Sequence, residues 1–119
     1  MKIEEIADQI VNIPHNFRTQ GNKSIYSLLN ESGYMENSGR IDEYLIASRL
    51  SQHREAVAEW LRYSKDKRTS SGWYFREDGS TYLVAHLGAR GDNKTLRTES
   101  EIEACASFIK LEIESIRTD

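Results

Sequence analysis

Residues 72–87, GWYFREDGSTYLVAHL, set two strand-like runs on either side of Asp78-Gly79. Both runs are rich in aromatic and β-branched residues, and Asp-Gly is a strong turn pair between such runs. This segment limits the chain more than any other. It demands an antiparallel hairpin in a sequence whose remaining periodic stretches repeat at helical spacing. Two strands alone are rarely stable in water, so helices must cover at least one face of the ribbon. With Asp78 and Gly79 central in the turn, Phe75 faces Tyr82 and Trp73 faces Val84 on one side. Tyr74 with Leu83, and Arg76 with Thr81, take the other side. A bulged turn would shift this pairing by one residue. The segment KTLRT, residues 94–98, can supply a third strand.

The flanks read as helices. Ile3, Ile6, Ala7, Ile10 and Ile13 recur at helical spacing, and Pro14 is expected to end that helix. HNFRTQGNK follows as a loop. Ser24 caps a short helix that stops at Gly33, and YMENSGR is the next loop. Asp42 caps a further helix, with Ile41 and Ile46 placed as a hydrophobic staple. A break near Ser51 lets that serine cap a new helix running to about Lys67. On its wheel His53, Val57, Trp60, Leu61 and Ser64 share one side, and Arg62 can pair with Glu59 and Asp66 on the other. TESE, from Thr98, reads as the capping box of the last helix. Ile102, Cys105, Ala106, Ile109, Ile113 and Ile116 form its buried stripe, and Leu111 falls among charges on the opposite side.

The fold class is therefore α+β: N-terminal helices, a central antiparallel hairpin or three-stranded meander, and a long C-terminal helix. A chain of 119 residues suits one domain over 1–119. Within it, 1–68 is mainly helical, 72–98 holds the hairpin or meander, and 99–117 is the last helix. No apolar run approaches the roughly 20 residues that span a bilayer, so no membrane partner is expected. The acidic start MKIEEIADQI is unlike a secretory signal. Cys105 is the only cysteine, which excludes an internal disulfide. The expected location is the cytoplasm.

Motifs for chemistry are weak. GARGDNKT, residues 88–95, has Gly88, Lys94 and Thr95 of a phosphate-binding loop, but Asn93 stands at the second glycine and the preceding strand is antiparallel. Arg90-Gly91-Asp92 is a chance tripeptide in a polar loop. His15, His53 and His86 show no metal-ligand spacing. Cys105 lies on an apolar stripe beside Glu101 and Glu103, a poor setting for a thiolate. No catalytic residue, metal site or cofactor is expected. An enzyme reading would need His53, His86 and nearby carboxylates to converge.

The basic and aromatic segment carries more. Arg62, Lys65, Lys67, Arg68 and Arg76 stand close to Tyr63, Trp73, Tyr74 and Phe75. Such a mixture can stack and neutralise single-stranded nucleic acid, and it is also typical of protein interfaces. The net charge of −3 disfavours the first use. Charge is uneven: residues 51–97 hold nine basic and six acidic side chains, and residues 98–119 hold two and six.

Small size and absent catalytic motifs, together with EWLRYSKDKRTSSGWYFRED over residues 59–78, resemble the small bacterial immunity proteins of polymorphic-toxin and contact-dependent growth inhibition systems. The resemblance implies a protein that binds a cognate toxin domain and blocks its active site or the access of substrate. Acidic members meet basic nuclease toxins. It would make the last helix, with Glu99, Glu101, Glu103, Glu112 and Glu114, a natural contact. The alternative is a nucleic-acid-associated regulatory module using the basic–aromatic segment 62–76, whose salt-dependent binding would drop when Lys67 and Arg68 become Glu.

Overall fold

A computed structural model describes residues 2–66, 72–87 and 96–118. The hairpin forms as expected, from β1 (Gly72–Asp78) and β2 (Thr81–Leu87). Its turn is centred on Gly79-Ser80, because Asp78 pairs with Thr81. Gly79 takes the positive φ of 64° at the first central position, where a side chain would be strained. Each β1 residue thus faces a β2 residue two places later than the sequence suggested: Trp73 faces His86 and Phe75 faces Val84. The displacement is even. Side chains alternate with period two, so the faces are unchanged. Trp73, Phe75, Tyr82 and Val84 share one face; Tyr74, Arg76, Thr81 and Leu83 share the other. A third strand, β3 (Leu96–Thr98), pairs antiparallel with β2 and completes a meander ordered β1-β2-β3. Lys94 and Thr95 lie outside the described residues.

The last helix, α7 (Glu101–Thr118), is not a one-sided lid. Every residue from Ala104 to Ile109 is buried. Six consecutive residues cover more than a full turn of helix, so neighbours must stand on all sides. They are the sheet and two helices, α5 (Glu43–Gln52) and α6 (Glu55–Asp66). Phe108 is the hub. Its ring lies 5.8 Å from Phe75, 6.0 Å from Trp60 and 6.3 Å from Tyr63, all tilted or edge-on. Leu111 packs against the core although spacing sets it opposite the apolar stripe, and Glu112 beside that stripe is only 5% exposed. A stripe argument assumes one covering layer, and α7 has two.

The N-terminal part holds four short helices: α1 (Ile3–Val11), α2 (Ile13–Gln20), α3 (Ile25–Glu31) and α4 (Tyr34–Asn37). Pro14 begins α2 instead of leaving a loop, since a proline in the first turn forfeits no intrahelical bond. Ser24 caps α3 by accepting from Ser27 N–H at 3.0 Å, and Gly33 follows with φ 91°. The stretch expected as a second loop is α4 and a short 3-10 turn, Ser38–Arg40, because Tyr34 is drawn fully into the core. Asp42 caps α5, its Oδ1 accepting from Leu45 N–H at 2.8 Å, with Ile41 and Ile46 both buried. Ser51 stays inside α5 and bonds back to Ala47 O at 3.0 Å. The break falls at His53-Arg54, where His53 O accepts from Ala56 N–H at 2.9 Å. Ser100, not Thr98, caps α7, accepting from Glu103 N–H at 3.1 Å. Thr98 is still in β3.

Two contacts fix the layers. Trp60 Nε1–H donates to Val11 O at 2.9 Å, joining α6 to the end of α1. Phe75 N–H, on the outer edge of β1, donates to Ser64 Oγ at 2.8 Å, so α6 shields that edge. Ser64→Ala leaves the buried Phe75 N–H without a partner and should cost about 1–3 kcal/mol, read by denaturant unfolding. A loss near zero would contradict this account of the edge.

A polar cluster ties α4 to α7. The Tyr34 hydroxyl donates to Glu114, and Lys110 Nζ donates to Tyr34 Oη at 2.8 Å and Ser38 O at 2.9 Å. Arg117 grips Glu114 through Nε at 2.8 Å and Nη2 at 3.0 Å. Those Arg117 bonds, helped by Tyr34 and Lys110, hold the Glu114 carboxyl down at about 2 against an ordinary 4.5. A carboxyl depressed in the folded state stabilises it above the unfolded value and loses that contribution as pH falls. Glu114→Gln should therefore melt below the wild type at neutral pH, with the gap closing between pH 4.5 and about 2. A gap independent of pH would contradict it.

Candidate functional site

The helices packed on the sheet, α6 and α7, lie against its Phe75 face and along the edge of β1. The opposite face carries Tyr74 and Arg76 of β1, Leu83 and Ala85 of β2, and Arg97 of β3. Arg76 lies over the Tyr74 ring, 5.7 Å from its centroid. Arg97 Nη1 reaches Asp78 Oδ2 at 2.5 Å and Thr81 Oγ1 at 3.2 Å. That bond holds the Asp78 carboxyl below its ordinary value. Leu83 and Ala85, 5% and 6% exposed, sit between these polar groups and outside the main core cluster. Arg76 and Arg97 are exposed and Tyr74 is half-buried. What this face exposes is thus two guanidiniums beside a half-buried aromatic ring, with Leu83 and Ala85 covered between them.

The other expected contacts fare unevenly. Arg62 and Lys65 are exposed on α6; Arg62 Nε stands 4.0 Å from Asp66 Oδ2. Glu59 pairs with Arg18 of α2 at 2.6 Å instead of with Arg62. Lys67 and Arg68 lie outside the described residues, as does all of GARGDNKT. Glu99 and Glu103 are exposed near the start of α7.

The other three carboxylates of that helix are used inside the fold. Glu101 accepts from the Tyr82 hydroxyl at 3.0 Å, Glu112 from the Tyr63 hydroxyl at 2.6 Å, and Glu114 from Tyr34. The three tyrosines come from β2, α6 and α4, so α7 is pinned to three neighbours by one kind of bond. Burial pushes the Tyr34 and Tyr63 hydroxyls up, each with help from its carboxylate. Glu101 does the same for Tyr82. The acidic helix is therefore no continuous solvent face. By helical spacing Glu101 and Glu112 flank the apolar stripe, four residues from Cys105 and three or four from Ile109 and Ile116, and only Glu114 lies on the far side, where α4 covers it. Tyr63→Phe removes a donor from the buried Glu112 carboxylate and should cost about 1.5–3 kcal/mol, measured by urea unfolding. A change below about 0.5 kcal/mol would mean that the bond contributes nothing.

The histidines stand in separate clusters. His53 Nε2 is 3.4 Å from Asp8, whose carboxylate is already bidentate to Arg49 at 2.6 and 3.0 Å. His86 packs edge-on against Trp73, 4.9 Å between centroids. Cys105 is fully buried and its thiol is pushed well up by that burial, then by Glu101. Among the described residues no group of three His, Cys, Asp or Glu is placed to hold a metal, and no helix is long and apolar enough to cross a membrane.

A cleft that the sequence reading missed lies between α2, α3 and α6, with a volume of about 380 Å³. It was hidden by taking residues 15–23 as a loop. The available signal was Pro14 in a first helical turn, with Ile13 and Phe17 four apart. Compared with protein-family models, curated proteins and solved structures, the chain matches none.

Proposed function

We propose that the chain is a non-enzymatic protein-binding module of the immunity type, which holds a cognate toxin domain through the outer face of its sheet. The observation that carries this reading is the grouping of Tyr74, Arg76 and Arg97 on the face away from α7. Tyrosine and arginine dominate the energetics of protein interfaces, since each offers broad contact area with a polar tip. Glu101, Glu112 and Glu114 are bonded within the fold, which leaves Glu99 and Glu103 as the exposed acids of that helix end and favours this face for the contact. An acidic patch on the partner is its natural complement.

Co-expression with the polypeptide encoded immediately upstream tests the proposal. It should give a complex on gel filtration and protect cells from that polypeptide. Tyr74→Ala and Arg76→Ala should each weaken the complex by about 2 kcal/mol, some thirtyfold, while changing unfolding stability by under about 1 kcal/mol. No complex and no protection would overturn the reading. Binding of single-stranded oligonucleotide that falls steeply with salt and is lost in Arg76→Glu would assign the same face to nucleic acid instead.

A further inference from the structure

The cleft between α2, α3 and α6 combines an apolar lining with an arginine at its mouth. Pro14 and Phe17 from α2, Ile25 from α3 and Tyr63 from α6 line it, and its 380 Å³ falls in the range of small-molecule sites. Phe17 is 45% exposed, so apolar surface stands open to solvent at a concavity, where a ligand can cover it. The Tyr63 hydroxyl already donates to Glu112, so that proton is not offered to the cleft.

Two ion pairs line the cleft, one joining α2 to α6 and one along α6, and they differ. Arg18 Nη2 meets Glu59 Oε1 at 2.6 Å, with the Glu59 side chain only 24% exposed. Arg62 Nε is 4.0 Å from Asp66 Oδ2, and those side chains are 64% and 72% exposed. The first pair is built in. The second sits at the outer limit of an ion pair in open solvent, where such contacts contribute little. The Arg62 guanidinium is therefore available to a better partner, and its planar fork matches a carboxylate with two parallel N–H bonds. Arg18 adds Nε–H and Nη1–H groups that none of its bonds uses. Arg18 and Arg62 are balanced by Glu59 and Asp66, so a carboxylate is drawn here by the fork of Arg62 and not by net charge.

We propose that this cleft binds small amphipathic monocarboxylates, with an aryl or medium alkyl body on Phe17, Ile25 and Tyr63 and the carboxylate on Arg62. The site is independent of the sheet face and of the toxin-binding reading. The probe is 4-phenylbutyrate, with 4-phenylbutyramide and 4-phenylbutylamine as neutral and cationic counterparts, titrated into the full chain and followed by NMR. The acid should bind about tenfold more tightly than either counterpart, as one charge-assisted fork predicts. Arg62→Gln should abolish that preference while leaving the melting temperature unchanged, and Phe17→Ala should weaken all three ligands. Equal binding of the three, tighter binding of the amine, a preference that survives Arg62→Gln, or no shifts at millimolar ligand would each overturn the proposal.

Discussion

The fold depends on the enclosure of α7. Phe108 joins the sheet to α6 through Phe75, Trp60 and Tyr63, and the residues around it are buried through more than a full helical turn. A helix in that position must satisfy its polar side chains internally, because water does not reach most of its surface. The three tyrosine–carboxylate bonds follow from this. Each lets an acidic residue remain on an enclosed helix, and each ties that helix to a different element. The long helix thus works as the internal axis of the protein, and the surfaces free for a partner are displaced onto the elements around it.

Much of the architecture was legible in the residues. Caps announce themselves because one oxygen satisfies one backbone N–H, so Ser24 and Asp42 were placed correctly from spacing alone. The two faces of the hairpin were also legible. Strand alternation survives an even error in register, so Tyr74 and Arg76 were grouped correctly although the turn was centred one residue early. The third strand was readable as far as Leu96–Thr98.

What escaped was whatever depends on a second neighbour. Pro14 can end one helix or begin the next, and only the packing of Ile13 into the core decides between them. Tyr34 looks like a loop aromatic until Glu114 and Lys110 are seen beside it. The charge of the last helix could be counted in advance, but not how many of its carboxylates were already bonded. Spacing reports which residues share a face; it does not report how many faces are covered. The basic–aromatic segment divides for the same reason: Trp73 and Phe75 pack toward the core, while Tyr74 and Arg76 face away from it.

The central claim is that the partner meets the sheet and not α7. Methyl NMR of the complex with the upstream-encoded polypeptide tests it most directly. Leu83 and Ala85 report on the outer face of the sheet, Ile102 on the exposed acidic start of α7, and Ile109 on the core. The account predicts that the Leu83 and Ala85 methyls shift on binding while Ile102 and Ile109 stay in place. Shifts at Ile102 with Leu83 and Ala85 unmoved would contradict it.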